Sequence, residues 1–386
     1  MKRRFSLIPR VRVNYTFVDL YRAFCCSERQ DIYQLQVKER IQSYFSNNNV
    51  LLTSSGRAGL YLILRSLPQH KVIIPAYTCS VVQEAILLAG KHILYAPTSD
   101  KSFNISQLPE LDKDSILIAT HQYGLPCNIE EMVARCNDAG AVLVEDCAAS
   151  LGSTVSGKLV GTFGHYAFFS FDASKLINVP SKGGFILAKN KELLDRIQTE
   201  DMLPSSFQYK IKHLCRGFVY CAIKTPYLYR IFHYLTMGMR HKMHISDSNN
   251  SDGDVLQTEF YTHGFYEWQA IIAIRQLRNL DQIVMKRKEI YKYYHDKICN
   301  QYIIKPPYNE EASCVRYTIM VNEQKAFYEQ CLRQGVDLGF SFNHIPSPAT
   351  FCEEHNIANR ILNLPFYKDM QERELARVVH VVNSLH

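Results

Sequence analysis

Short apolar runs alternate with amphipathic stretches through the first half of the chain. "VLLT", "KVIIP", "KHILYA", "SILIATH", "AVLVED", "HYAFFSF" and "GGFILA" are brief and rich in β-branched or aromatic residues, as strands are. Between several of them, "SVVQEAILLAG" and "NIEEMVARCNDAG" repeat apolar positions at helical spacing. Strand and helix in this rhythm predict an α/β domain on a largely parallel sheet. The pattern then changes. "GFYEWQAIIAIRQLRNLDQIVMKRKEIYKYYHDKI" reads as one long helix, "VRYTIMV" as a strand, and "QKAFYEQCLRQG" and "RELARVVHVVNSL" as further helices. A large domain over residues 1–255 and a smaller C-terminal α/β domain over 256–386 are expected.

Composition narrows the class. With 386 residues, 47% of them apolar, the chain can bury a large core. No uncharged run reaches the roughly 20 residues that span a bilayer, and the basic N-terminus "MKRRFSLIPRVRVNYTF" lacks the continuous apolar run of a signal peptide. The twelve cysteines are scattered without CxxC spacing, which suits reduced core thiols and not a disulfide frame or a zinc site. A cytoplasmic location is expected. Neither GxGxxG after a strand nor GxxxxGK[ST] occurs, so nicotinamide and P-loop chemistry have no support. His241 and His244 lie in a basic stretch without a carboxylate and read as solvated, so no metal is expected, nor is a nucleic-acid partner.

Ligands of open α/β sheets sit at the carboxyl ends of the strands, so the residues just after the apolar runs carry most information. Ser54, Ser55 and Gly56 follow "VLLT" and open an apolar helix, where free backbone amides can bind an anion. Glu145 and Asp146 close "AVLV", and Ser170 and then Lys175 follow "HYAFF". Each has an ordinary reading alone: a serine cap, an aspartate cap, a solvated lysine. Together they are the parts that hold pyridoxal phosphate. The lysine would form a Schiff base with its aldehyde, the acid would keep the ring nitrogen protonated, and the helix start would take the phosphate.

The residues also carry a resemblance. "SSGRAGLYLILRSL", "IIPAYTCSVVQEAILLAG", "THQYGLPCNIEEM", "VEDCAASLGSTVSGKLVGTFGHYAFFSFDASK", the paired glycine at 183–184, "QGVDLGFSFNHIP" and "ILNLPFYKDM" resemble the DegT/DnrJ/EryC1/StrS sugar aminotransferases. The resemblance implies a fold type I pyridoxal phosphate enzyme with a mostly parallel seven-stranded sheet. It implies a homodimer with sites at the subunit interface, moving an amino group from glutamate to a keto-sugar on a nucleotide, for cell-surface polysaccharide or glycoconjugate synthesis. By position, Lys175 matches the cofactor lysine, Asp146 the ring-nitrogen acid, Ser170 a phosphate-binding serine, and Ser55, Gly56 and Arg57 the phosphate-binding turn. His344 falls where the family often has a histidine near the sugar.

Departures from the family surround this set. Ala149 stands where a glutamine is usual, and Cys79 where an aromatic commonly stacks on the ring, leaving Tyr77 or Tyr123 to cover it. The partner-subunit asparagine and arginine that normally precede the long helix are absent from "FYTHGFYEWQ". A second reading is therefore a catalytically silent relative that binds a sugar or a protein partner. Retention of Lys175, Asp146 and Ser170 together favours the enzyme.

One segment lies outside the resemblance. Residues 204–246 hold Lys210, Lys212, Arg216, Lys224, Arg230, Arg240 and Lys242 and no acid, which accounts for the chain's formal +7. Ile211, Leu214, Cys215, Phe218, Ala222 and Ile223 repeat at helical spacing; Pro226 interrupts, and Tyr227, Leu228, Ile231, Phe232 and Leu235 resume. Two amphipathic helices are expected. Their apolar stripe either packs on a dimer partner or roofs the site, or lies peripherally on the anionic inner face of a membrane, where the substrate would be a lipid-linked sugar.

Overall fold

The computed structural model describes residues 6–27, 31–197, 203–243, 261 and 263–385. The strands are β1 (Val50–Thr53), β2 (Lys71–Pro75), β3 (His92–Ala96), β4 (Ser115–Thr120), β5 (Val142–Asp146), the hairpin β6 (Thr154–Val155) and β7 (Lys158–Leu159), β8 (Tyr166–Ser170) and β9 (Gly184–Ala188). Apart from the hairpin they form one seven-stranded sheet in the order β1-β9-β8-β5-β4-β2-β3. Strands β3, β2, β4, β5 and β8 run parallel; β9 is antiparallel to both β8 and β1. Every residue of β4 is buried, as an unbroken apolar run requires in a sheet covered on both faces.

Helices α1 (Phe17–Cys25) and α2 (Ile32–Phe45) precede the sheet, and α3 (Gly56–Ser66), α4 (Ser80–Leu88), α5 (Ile129–Ala139) and α6 (Lys191–Asp195) lie among its strands. The long helical stretch is two helices, Glu267–Arg278 and Leu280–Lys297, meeting at Asn279. The Asn279 amide donates to the Arg275 carbonyl at 2.9 Å, a local bond that competes with the helix ladder.

The expected boundary at 255/256 lies outside the described residues. Trp268, Ile272, Leu280 and Ile283 pack with Phe169, Leu176 and Phe185 of the sheet layer. A second core gathers Tyr294, Tyr317, Leu362 and Val378 around the antiparallel pair β10 (Tyr317–Met320) and β11 (Ile361–Leu364). Ile8 joins this second core, and so do Tyr77 and Tyr123 from the carboxyl side of the sheet.

Residues 204–246 do contain two helices, α7 (Phe207–Ala222) and α8 (Pro226–Met243), but α7 buries a different face from the expected one. Tyr209, Lys210, His213, Leu214, Gly217 and Cys221 face inward, while Cys215 and Phe218 are exposed. The reason is the close approach at Gly217, where a Cβ would stand 2.8 Å from Pro180 and 2.9 Å from Leu20. Helix α7 thereby braces the turn that follows Lys175. His244 and Ser246 lie outside the described residues, as do the side chains of Arg240, His241 and Lys242.

Candidate active site

Three chain segments bring the expected residues to one end of the sheet. The first is the start of α3. Ser55 caps it, its hydroxyl accepting from the Ala58 amide at 3.1 Å, and leaves the earlier amides of the turn without an intrahelical acceptor. Gly56 follows with no side chain, and a Cβ there would stand 2.9 Å from the Ser170 Cβ. A Cβ on Gly184 would run into the Phe169 carbonyl and the Gly56 nitrogen. Both glycines are thus needed for the helix start to meet the ends of β8 and β9. The Arg57 guanidinium reaches Glu84 of α4 at 3.5 Å.

The second segment is the end of β5. Asp146, only 8% exposed, accepts from the Ala148 amide at 3.0 Å. Its neighbour in register on β4 is Thr120, whose buried hydroxyl oxygen has no hydrogen-bond partner. The third is the turn after β8. The Asp172 carboxylate accepts from the Ser174 amide at 3.2 Å, and the Lys175 amide donates to the Asp172 carbonyl at 2.9 Å. This local bonding turns the chain sharply and sets Lys175 beside the strand ends.

The electrostatics follow from placement. Burial holds the Lys175 amine below its ordinary range, the Arg316 guanidinium adds to this, and Asp146 and Asp172 partly oppose it. Burial pushes the Asp146 carboxyl up, against the opposing Ala148 amide and Lys175. Burial would also raise Asp172, but Lys182 and Lys175 hold it below its usual value. Burial raises the Cys79 thiol, which interacts with Lys175, Arg57 and Asp146 and so sits within the same group. Lys175, Lys182, Arg57, Arg216 and Arg316 gather here around Asp146 and Asp172, with Glu84 against Arg57. Such a site favours an anionic ligand.

Tyr77 and Tyr123 act as a clasp. Their hydroxyls lie 2.8 Å apart; Tyr123 donates to the Ser341 carbonyl at 2.6 Å, and the Phe342 amide lies 3.1 Å from the Tyr77 hydroxyl. They tie the 341–342 loop over the strand ends, and Tyr77 is 0% exposed. His344, two residues beyond, is exposed and makes no hydrogen bond to the other candidates among the described residues. His121, Glu145 and Cys147 form a buried trio of possible metal ligands. Glu145 is already saturated, however, with the amides of Gly161, Phe163 and Gly164 each at 2.7 Å and His121 Nε2 at 3.2 Å. It is a loop anchor.

Sequence reasoning passed over Arg316, Lys182 and Asp172, and it named Glu145 only as the neighbour of Asp146. Arg316 gave one signal, a charge at the edge of the apolar strand "VRYTIMV".

A strand-end acid, a half-buried lysine and a glycine-opened helix start under a cationic rim are residues that fit pyridoxal phosphate. The chain belongs to the DegT/DnrJ/EryC1/StrS aminotransferase family, whose profile matches residues 32–383. It is a pyridoxal phosphate-dependent sugar aminotransferase. A UDP-N-acetyl-3-dehydro-alpha-D-glucosamine 3-aminotransferase of Acidithiobacillus ferrooxidans is 23% identical over 351 residues, 86% of this chain and 83% of its own. A dTDP-3-amino-3,6-dideoxy-alpha-D-galactopyranose transaminase of Aneurinibacillus thermoaerophilus is 24% identical over 367 residues, 90% of this chain and 88% of its own. The solved NtdA of Bacillus subtilis, with pyridoxamine phosphate bound, superposes with a TM-score of 0.71 at 18% identity, covering 98% of this chain and 85% of its own. The last likeness is one of fold.

Proposed function

We propose that Lys175 and Asp146 are the catalytic pair, that Ser55, Gly56, Arg57, Cys79 and Ser170 complete the cofactor site, and that His344 lies on the sugar side, where buried Tyr77 positions the loop before it instead of touching the sugar. Bound pyridoxal phosphate supplies an electron sink for the amino transfer. The chain's own residues do the rest. The amides opening α3 and the Ser170 hydroxyl receive the phosphate, where Gly56 leaves room. The buried Asp146 carboxylate is costly alone, and it would hold the protonated ring nitrogen of the bound cofactor. Lys175 Nζ, its pKa lowered by burial, would hold and release the proton that moves during the transfer. The interaction of Lys175 with Asp146, on a strand paired to the one whose end meets Gly56, carries this reading.

The donor is glutamate and the acceptor a keto-sugar on a nucleotide, used for cell-surface polysaccharide or glycoconjugate synthesis. Names of the relatives support this: one acts on a UDP-linked 3-dehydro sugar and one on a dTDP-linked sugar. Incubation with glutamate and a panel of 3-keto and 4-keto nucleotide sugars, with mass detection of the amino product, tests it; turnover of none of them overturns it. The enzyme works as a homodimer in the cytoplasm. None of the twelve cysteines is in a disulfide, which suits a reducing compartment. Sedimentation of the holoenzyme as a monomer would contradict the dimer.

The outer faces of α1, α7 and α8 rest on an anionic membrane surface, a placement that would also bring a lipid-linked sugar within reach as an alternative to the nucleotide-linked acceptor. No helix among the described residues is long and apolar enough to cross a membrane. Yet Phe17, Tyr21 and Phe24 on α1, Phe218 on α7, and Tyr227, Ile231, Tyr234 and Leu235 on α8 are all exposed. The Phe17 and Phe218 rings meet at 4.8 Å, so the stripes of α1 and α7 are continuous. Arg22, Lys212 and Arg216 are exposed beside them. A second copy docking isologously would set these cations against themselves, whereas anionic lipid attracts them. Lys210 and Lys224 do not contribute, because their ammonium groups donate inward to the carbonyls of Cys26 and Tyr15. Binding to phosphatidylglycerol-containing vesicles at low salt, lost when Arg22, Lys212 and Arg216 become glutamine, is expected. No sedimentation with such vesicles would overturn the contact.

A further inference from the structure

The mechanism above leaves one strong cation unused. Arg316 stands at the edge of β10 and reaches across to the large sheet layer, where its Nη2 lies 3.3 Å from the Ser174 hydroxyl, one residue before Lys175. Its Nη1 lies 3.4 Å from the Asn363 side-chain oxygen, and its guanidinium sits 6.0 Å over the Phe342 ring. Both acceptors are neutral and both distances long. Among the described residues no carboxylate pairs with this guanidinium. Half-buried, it feels the charge of Asp172 but touches no carboxylate among the described residues.

Its neighbour has a sharper deficit. The Asn363 oxygen is fixed by the Ser341 amide at 2.9 Å and by Arg316, which settles the orientation of the amide. Its nitrogen is then left without any acceptor although Asn363 is 4% exposed. Buried donors are nearly always satisfied, and leaving one unmade costs free energy. A guanidinium held only by two long contacts to neutral oxygens, with an unsatisfied amide nitrogen beside it, calls for a ligand that only accepts. Planar, bidentate acceptance from a guanidinium is the signature of a carboxylate.

We propose that Arg316 and Asn363 form a carboxylate-binding subsite beside Lys175, which holds an acidic group of the substrate during amino transfer. The inference rests on the reading of Lys175 as the cofactor lysine. Two substrates can bring a carboxylate here: the amino donor, or a sugar that carries an acid. Phe342, held by the Tyr77–Tyr123 clasp, forms the apolar wall that strengthens either contact.

The holoenzyme is titrated calorimetrically with glutarate, a dicarboxylate without the reactive amine, and separately with UDP-glucuronate and UDP-glucose. Glutarate binding assigns the subsite to the donor; preference for UDP-glucuronate over UDP-glucose assigns it to an acidic sugar. In either case Arg316→Gln weakens carboxylate binding at least about tenfold, as loss of a charged hydrogen-bond partner does, and Arg316→Lys weakens it less. Asn363→Asp covers the case in which Arg316→Gln fails to fold. That change supplies an internal carboxylate for Arg316 while keeping the acceptor for the Ser341 amide, so thermal stability is retained and carboxylate binding lost. Wild type that binds no carboxylate, or variants that bind as wild type does, would overturn the subsite. A wild type that carries no cofactor would overturn the underlying reading of Lys175 instead.

Discussion

Glu145 and Asp146 are adjacent buried carboxylates, and replacing each with its amide separates structure from chemistry. Glu145 takes four donors: Phe163 and Gly164 amides on Oε1, the Gly161 amide and His121 Nε2 on Oε2. The Cys127 amide donates to His121 Nδ1 at 3.2 Å, so the ring proton is on Nε2 and points at Glu145. In Glu145→Gln one oxygen becomes a donor, and either orientation of the new amide sets it against two of those donors. Two charge-assisted hydrogen bonds are lost at about 1.5 to 3 kcal/mol each, a destabilisation of about 3 to 6 kcal/mol. Asp146→Asn behaves oppositely. It keeps an oxygen for the Ala148 amide and removes a charge whose burial is unfavourable. Because the folded-state pKa of Asp146 is raised, the ionised carboxylate costs stability at neutral pH, and the cost vanishes in acid, where the group is protonated in both states. Cofactor-free Asp146→Asn therefore melts at or above wild type near neutrality, and this difference disappears as pH falls below the ordinary aspartate range. Its transamination rate collapses, since a neutral amide cannot hold the ring proton. The assay is thermal unfolding across pH beside turnover at saturating substrate. Equal melting losses in the two variants, or wild-type turnover in Asp146→Asn, would refute the division of roles.

Lys175→Met abolishes transamination and raises the melting temperature of the cofactor-free protein, because burial disfavours the ammonium; the gain shrinks as pH rises through the depressed lysine pKa, where wild type deprotonates too. Gly56→Val forces a side chain against Ser170 and lowers cofactor affinity at least tenfold by about 1.4 kcal/mol or more, read by absorbance titration; unchanged affinity would show that the helix start does not hold the phosphate. Tyr123→Phe removes the hydroxyl bonds to Ser341 and Tyr77 and lowers stability by about 1 to 3 kcal/mol, measured by calorimetry; no change would mean the clasp is idle.

The sheet was legible because its strands are unbroken apolar runs, and Lys175, Asp146 and Gly56 were legible because they follow those runs at strand ends. Arg316 and Asn363 were not, since single polar residues in a later strand pair gain meaning only once that pair packs beside Lys175. The inward face of α7 was misread for a related reason. Lys210, His213 and Gly217 are not apolar, and their burial comes from a carbonyl partner, an aromatic neighbour and the need for close approach to Pro180. The break at Asn279 left no gap in the apolar periodicity, because its cause is a side-chain bond.

Lys175 and Lys182 stand in the same cationic group, and the central claim is that Lys175 alone bonds the cofactor. Borohydride reduction of the purified, cofactor-loaded protein, followed by proteolysis and peptide mass spectrometry, locates the pyridoxyl group on the chain. The account predicts the added mass on Lys175 and on no other lysine; its appearance on Lys182, or an unmodified Lys175 peptide in a bleached sample, would contradict it.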